Sequence, residues 1–165
     1  MIVDDLASAV ADAVVRPTNG NLEPITPALR RLELAAGPKF RDLCRVQREL
    51  GVGAAVVTPA GDLPVELVVH AVVMTRADPV SRAGVRRAAE AALRQAEQWH
   101  IATLATPPLG TGAGQLPADD AAEALLGVVL AHGRAAEHPT TVVIVVETDA
   151  ERDVYQALLA RGDLS

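Results

Sequence analysis

Apolar residues along this 165-residue chain fall into two patterns, short continuous runs and longer stretches with helical spacing. The continuous runs predict buried strands at residues 54–58, 65–73, 101–106 and 141–146, because strands covered on both faces need few polar positions. Shorter apolar segments predict strands at residues 2–3 and 12–15, the latter followed by a polar turn over 16–21. Residues 59–62 read as a turn, so the strands on either side of it should be adjacent.

Helical spacing and capping residues predict the helices. Thr26 followed by Pro27 is typical of a helix start, and Gly37 of its end. A second helix is expected over 38–50, and Ser81 should cap a long amphipathic helix that reaches residue 99. A further helix is predicted from 117 to about 132, and Thr148 opens the last one with a capping box.

The order of these elements predicts a fold class. A strand, helices, two adjacent strands and then alternating helices and strands indicate a three-layer α/β/α domain, with a mixed and largely parallel central sheet. The length of 165 residues is typical of a single domain, so one domain is predicted over residues 1–165. Ligands of such sheets bind at the carboxyl ends of the strands.

Composition narrows the function classes. The net charge is −6 and the isoelectric point is near 5.1, which argues against a nucleic-acid partner. No apolar segment is long enough to span a bilayer, and the N-terminus lacks the basic region of a signal peptide. One cysteine, Cys44, excludes an intramolecular disulfide and fits a reducing compartment. We therefore expect a cytoplasmic protein without a membrane partner, with oligomeric state left open.

Lone reactive side chains are given structural roles. Cys44 is expected to be a small apolar residue on a helix face, and His70 a hydrogen-bonded core residue within a strand. The spacing of His132 and His138 matches no common metal pattern, so no metal site is expected. No cofactor is predicted. Arg41, Arg45 and Arg48 are expected to form a solvated face of the second helix.

The segment over 102–124 carries the strongest functional signal. An apolar strand ends in Pro107-Pro108, a loop with three glycines follows, and Pro117 with two acids opens a helix. Glycine lets backbone N–H groups approach an oxygen-rich ligand, and a helix N-terminus adds favourable partial charge. The sequence therefore predicts a cradle for a phosphate-bearing nucleotide.

Three collinear segments resemble the macro domain, the ADP-ribose-binding (Appr-1″-p processing) family. Residues 11–19 resemble its Asp-Ala-Ile-Val-Asn-Ala-Ala-Asn strand and turn. Residues 53–73 are similar to its Gly-x-Ala-x-x-Thr…Leu-Pro…Ile-His run. Residues 107–117, PPLGTGAGQLP, resemble its second phosphate loop with a Gly-Thr-Gly-x-Gly core. The resemblance covers nearly the whole chain.

The resemblance implies a set of ligand-binding residues. Asp5 stands where an acid accepts a hydrogen bond from the adenine amino group, with Leu6 beside it among the expected contacts. Asn19 matches the asparagine near the distal ribose and is the one candidate catalytic residue. The loop that would wrap the diphosphate and distal ribose consists of Gly110, Thr111, Gly112, Ala113 and Gly114.

Departures from the family pattern lie in the other half of the expected site. The interval 23–30 contains no glycine, where the family has a glycine-rich first loop. Leu29 stands at the position of the acid of hydrolytic members, and Arg16 replaces the first asparagine of the family pair. Glu147 or Thr148 takes the place of an aromatic that stacks on adenine.

Three functions remain open at this point. The first is binding of ADP-ribose or a related nucleotide diphosphate, with Arg16 or Arg30 supplying charge to a phosphate. The second is hydrolysis of ADP-ribosyl esters through a water positioned by substrate and asparagine. The third is a structural or partner-interaction subunit that binds no nucleotide.

Overall fold

A single twisted sheet forms the centre of the molecule. The computed structural model describes residues 2–3, 5–112 and 115–162. Within these ranges, six strands pair in the order β1-β6-β5-β2-β4-β3. The strands are β1 (Ile2–Val3), β2 (Ala13–Asn19), β3 (Ala55–Pro59), β4 (Leu67–Met74), β5 (Thr103–Thr106) and β6 (Thr141–Val146). Neighbours are parallel except β3 and β4, which confirms the mixed, largely parallel sheet.

The helices begin where the capping residues predict. They are α1 (Pro27–Ala36), α2 (Pro38–Leu43), α3 (Arg82–Gln98), α4 (Ala118–Ala135) and α5 (Asp149–Arg161), and a 3₁₀ turn spans Leu6–Ser8. The side chains of Thr26, Ser81 and Thr148 each accept a backbone N–H three residues on, so these three N-caps are confirmed. None of the helices in the described part of the chain is both long and apolar enough to cross a membrane.

Alternation along the strands divides the core into two layers. On β4, Val69 and Val73 face a cluster built from α3, α4 and α5. Val68 and Val72, one position along, face a second cluster built from α1, α2 and the 3₁₀ turn. Successive side chains of a strand point to opposite faces, so the period of two places helices on both sides of the sheet. The three-layer α/β/α arrangement is confirmed.

The predicted polar turn over 16–21 is wrong for residues 16–19. β2 continues to Asn19 and pairs with β4 along its whole length, although Arg16 and Pro17 interrupt its apolar run. Proline is tolerated because β2 pairs with β5 only through Ala13 and Val14, so at Pro17 one side of the strand has no partner strand. Arg16 is tolerated because its guanidinium finds partners in the core.

The second helix is shorter than predicted. α2 ends at Leu43, with Cys44 as its C-cap, and the chain turns away over 45–50. The Leu50 N–H donates to the Gly20 carbonyl at 2.7 Å, which fixes this segment against the turn after β2 instead of extending a helix. Arg45 and Arg48 therefore do not share a helical face with Arg41.

Candidate functional site

A cleft of about 440 Å³ opens at the carboxyl ends of β2, β5 and β6. Its walls are formed by Leu6, Pro17, residues 25–29 at the start of α1, Arg31, loop residues Pro107, Pro108 and 110–112, and beyond these Val145, Glu147 and Glu151. Parallel strands direct their carboxyl ends to one edge of the sheet, where backbone groups and helix N-termini converge. The cleft therefore lies where the topology predicts a ligand site.

One wall is the glycine loop that follows β5. Gly110 has φ +81°, and a Cβ there would lie 2.5 Å from Val85 Cγ2, so both backbone and packing require glycine. Gly112 has φ +143° and lies next to Thr26, where the two walls of the cleft meet, since a Cβ on Gly112 would lie 3.4 Å from Thr26 Cγ2. The carbonyls of both glycines accept N–H groups of Gln115 and Leu116, which tie the loop to the start of α4.

This loop contains most of the predicted ligand residues. Gly110, Thr111 and Gly112 line the cleft. Ala113 and Gly114 lie outside the described residues.

The opposite wall is the first turn of α1. Thr26 Oγ1 accepts the Leu29 N–H at 3.3 Å, and Pro27 at the first helical position has no N–H to satisfy. Ala28, at the second position, has no acceptor within the helix for its N–H, as is general for a first turn. No acidic residue lies in this turn, so the positive end of the helix dipole is not neutralised there. Leu29 is buried and gives this wall an apolar patch.

Charged side chains form a third part of the cleft. Arg31 Nη2 donates to Glu147 Oε1 at 2.9 Å, which links α1 to the segment after β6. Glu151 Oε1 accepts the Glu147 N–H at 3.2 Å, and the Glu151 N–H donates to Thr148 Oγ1 at 3.2 Å, so one half of the predicted capping box is present while the Glu151 carboxylate bonds the residue before the N-cap. Two carboxylates and one guanidinium therefore share this part. Over the described ranges, no three His, Cys, Asp or Glu side chains gather into a set that could hold a metal.

Of the other predicted ligand residues, one lines the cleft and two do not. Leu6 lines the cleft. Asp5 caps the 3₁₀ turn beside it, where Oδ1 accepts the Ala7 N–H at 3.1 Å. Asn19 ends β2, and its Oδ1 accepts the N–H groups of Asn21 and Glu23, each at 3.0 Å. Asp5 and Asn19 are both outside the set of side chains that line the cleft.

Neither arginine suggested as a phosphate ligand lines the cleft. Arg30 borders a neighbouring surface groove with Pro24 and Leu34. Arg16 is fully buried on the α1–α2 side of the sheet, where Nη1 donates to the Leu22 carbonyl at 2.9 Å. Its Nη2 lies 3.4 Å from Glu33 Oε2. The expectation that Arg16 supplies charge to a ligand is therefore wrong, because its charge is used within the core.

The buried guanidinium also fixes the state of His70. Arg16 Nη1 lies 3.2 Å from His70 Nδ1, and arginine can only donate, so Nδ1 accepts and the ring proton is on Nε2. Nε2 then donates to Thr58 Oγ1 at 2.9 Å. Burial, with a smaller effect from the Arg16 charge, lowers the pKa of His70 from 6.5 to about 3. The prediction of a hydrogen-bonded core histidine is confirmed.

Cys44 lies beside this group and is inert by the same reasoning. Its Sγ is 4.0 Å from His70 Nε2, and the side chain is buried. Burial raises the pKa of the Cys44 thiol, although the Arg16 charge opposes the shift. The thiol is therefore uncharged at neutral pH and packs as a small apolar group, as predicted.

Sequence reasoning did not identify Arg31 or Glu151 as cleft residues. Arg31 and Glu147 are 116 positions apart, and neither stands in a recognisable motif. Only the position of Glu147, where the macro domain pattern has an aromatic residue, drew attention to this end of the cleft. The signal that could have found Arg31 is its place five residues after the N-cap Thr26, just over one helical turn along α1.

Comparison with known proteins establishes the family. A Macro domain family model matches residues 15–125, which include most of β2, all of α1 and the glycine loop. The chain belongs to the macro domain family. It is 30% identical over 176 residues to a protein of Enterobacter sp. named O-acetyl-ADP-ribose deacetylase, and the match covers 100% of this chain and 95% of that protein.

A second group of relatives is longer than this chain. An uncharacterised protein of Mycobacterium tuberculosis is 31% identical over 159 residues, which cover 96% of this chain and 44% of the relative. A protein of Mycobacterium bovis matches with the same identity and coverage. The chain therefore spans less than half the length of these mycobacterial relatives.

Solved structures share the fold at lower identity. The Oceanobacillus iheyensis macrodomain with ADP superposes with a TM-score of 0.87 at 20% identity, over 96% of this chain and 88% of that one. The Trypanosoma brucei macrodomain in complex with ADP-ribose gives 0.85 at 17% identity, over 95% and 67%. These likenesses show the macrodomain fold.

Proposed function

We propose that this protein binds ADP-ribose or a related nucleoside diphosphate in the cleft between the glycine loop and α1. The observation that carries the proposal is that the cleft is open, with about 440 Å³ of space bordered by residues 110–112, the first turn of α1 and the segment after β6. The names of macro domain relatives and the ligands of the O. iheyensis and T. brucei structures support the same ligand class. A diphosphate in this cleft would be stabilised by hydrogen-bond donors from either wall.

The first turn of α1 supplies donors where the first glycine loop of the family pattern is missing. The Ala28 N–H and the positive end of the helix dipole face an anion placed between the two walls. The glycine loop adds backbone N–H groups from the other side. This diverges from the family pattern of two glycine loops, and we expect it to weaken binding relative to a site with two such loops.

Two other functions are weighed against binding. A structural or partner-interaction subunit would not need an open cleft, and no side chain among the described residues fills it. Hydrolysis of ADP-ribosyl esters is favoured by the 30% identity to a protein named as a deacetylase. Leu29 offers no carboxylate to activate water, and the Asn19 side-chain oxygen already accepts two backbone N–H groups. Hydrolysis is therefore the second candidate.

Calorimetric titration with ADP-ribose tests the proposed function. The wild-type protein should bind, and Gly112→Glu should reduce affinity by tenfold or more, because it places a carboxylate beside the diphosphate and strains a backbone at φ +143°. Gly133→Glu is the matched control, since it adds the same charge at a site with open space around the new Cβ. Circular dichroism of both variants checks that they fold.

Two outcomes would contradict the proposal. No heat from the wild-type protein at millimolar ADP-ribose would favour the structural alternative. Equal affinities of the Gly112→Glu and wild-type proteins would place the ligand elsewhere. Release of acetate from O-acetyl-ADP-ribose that disappears in Asn19→Ala would instead add the second candidate, a hydrolytic function, to binding.

A further inference from the structure

An ion pair stands at the end of the cleft that is farther from the glycine loop. Arg31 Nη2 and Glu147 Oε1 are 2.9 Å apart, and both side chains line the cleft together with Leu6 and Val145. Gly112 borders Thr26, whereas Arg31 is five residues further along α1. At 1.5 Å per residue the Arg31 backbone lies about 7–8 Å along α1 from Thr26, so a ligand whose diphosphate is held at the glycine loop would reach Arg31 with a group beyond that diphosphate.

The charge at this end disfavours a phosphate. Glu147 and Glu151 together carry two negative charges against the one positive charge of Arg31. A diphosphate placed here would compete with Glu147 for the guanidinium and meet the second carboxylate. An uncharged part of the ligand avoids both costs, so the phosphates belong at the glycine loop and an uncharged ring at this end.

The geometry of the pair selects a flat ring. Glu147 bonds the guanidinium through Nη2, and because the N–H groups of a guanidinium lie in its plane, this bond does not occupy either planar face. Half of the Arg31 side chain is exposed, so this face is accessible to a ligand. The described residues that line the cleft include no aromatic side chain that could offer a stacking surface instead.

We propose that Arg31, oriented by Glu147, is the residue on which the nucleobase stacks, and that it determines the preference of the cleft for base-carrying diphosphates. This inference rests on the proposed function. A guanidinium stacks on aromatic and nucleobase faces because it is planar, delocalised and weakly hydrated, whereas an ammonium is a point charge with no face. Lysine at this position should therefore keep the charge and lose the interaction.

Affinities for two ligands separate base stacking from phosphate binding. ADP-ribose and inorganic pyrophosphate are titrated calorimetrically into the wild-type protein, Arg31→Ala and Arg31→Lys. We expect both variants to bind ADP-ribose about tenfold more weakly, within the range that stacking of one base contributes. Pyrophosphate, which has no base, should bind all three proteins within about twofold of one another, because its contacts lie at the glycine loop. Glu147→Gln should weaken ADP-ribose binding by a smaller factor, because it loosens the orientation of Arg31.

A matched control removes an arginine of the same kind elsewhere. Arg45 is exposed and pairs with Asp42 at 3.3 Å outside the cleft, so Arg45→Ala should leave both affinities unchanged. Wild-type affinity for ADP-ribose in Arg31→Lys would overturn the inference, since charge alone would then suffice. An equal loss of pyrophosphate and ADP-ribose binding in Arg31→Ala would overturn it too, because Arg31 would then be a phosphate ligand. If the wild-type protein binds ADP-ribose in either case, the proposed function stands.

Discussion

Two arginines of this protein each pair with a glutamate, one inside the core and one in the cleft. Arg16 and Glu33 are 3.4 Å apart, with 0% and 16% of their side chains exposed. Arg31 and Glu147 are closer, at 2.9 Å, with 55% and 53% exposed. The shorter pair is the more exposed one. Distance alone therefore does not rank the two pairs by their contribution to the fold.

Burial separates what the two arginines do. In the core, the Arg16 guanidinium also donates to the Leu22 carbonyl and His70, so its removal leaves acceptors without a donor and a void beside Phe40. In the cleft, water can replace either member of the Arg31–Glu147 pair, and exposed ion pairs contribute little to the free energy of unfolding. Because the fold does not depend on the Arg31 side chain, that side chain is available to contact a ligand.

Substitution of Arg16 should give the largest effect on stability. Arg16→Ala removes the donor to the Leu22 carbonyl and leaves Glu33 without its partner, so we expect a loss of about 3 kcal/mol or more in the free energy of unfolding. The measurement is urea denaturation followed by circular dichroism.

A second substitution shows which part of this loss is electrostatic. Arg16→Met fills most of the void with an apolar side chain, and we expect it to lose less than Arg16→Ala, although the Leu22 carbonyl still lacks a donor. If the free energies of unfolding of Arg16→Ala and the wild-type protein differ by less than about 1 kcal/mol, the buried pair contributes as little as an exposed one. The distinction between the two arginines would then fail.

Arg16, Glu33 and His70 form one group, the buried cluster, and His70 makes its contribution to stability depend on pH. Its folded pKa is about 3 and its ordinary value is 6.5, so between these values the unfolded chain binds one more proton than the folded protein. The contribution of neutral His70 to the free energy of unfolding is fully present above pH 6.5, and it is lost as the pH decreases toward the folded pKa of about 3. At about pH 5 the loss relative to neutral pH is about 2 kcal/mol.

His70→Gln isolates this contribution. Glutamine can accept from Arg16 and donate to Thr58, but it does not titrate. Urea midpoints measured from neutral pH down to about pH 5 should fall more steeply for the wild-type protein than for the variant. Parallel slopes for the two proteins would mean that His70 is not held neutral by the core.

The buried cluster also shows where sequence reasoning stops. Strands, caps and the glycine loop could be predicted because each depends on local chemistry, such as Thr26 before Pro27 or the apolar run of β6. An arginine beside a proline is typical of exposed loops, so the sequence pattern places Arg16 in a turn. Its partners Glu33 and His70 come from other elements, and only the fold reveals that its charge is satisfied.

The candidate site was predictable on one side only. The glycine loop follows β5 directly, so its place at the edge of the sheet follows from chain order. The sequence shows only that the opposite wall lacks glycine. Which backbone N–H groups this wall presents to the cleft depends on the direction of α1. The pairing of Arg31 with Glu147 joins α1 to the segment after β6 and required coordinates.

Substitution of Arg31 should give the smallest effect on stability and completes the comparison. Arg31→Ala removes an exposed ion pair, so we expect the free energy of unfolding to change by less than about 1 kcal/mol, with a smaller change still at about 1 M salt. Arg45→Ala, which removes the exposed pair with Asp42, should behave alike in urea denaturation. A loss as large as that of Arg16→Ala would make Arg31 part of the scaffold. Near-wild-type stability combined with weaker ADP-ribose binding would instead show that the cleft arginine serves the ligand, because the fold does not depend on it.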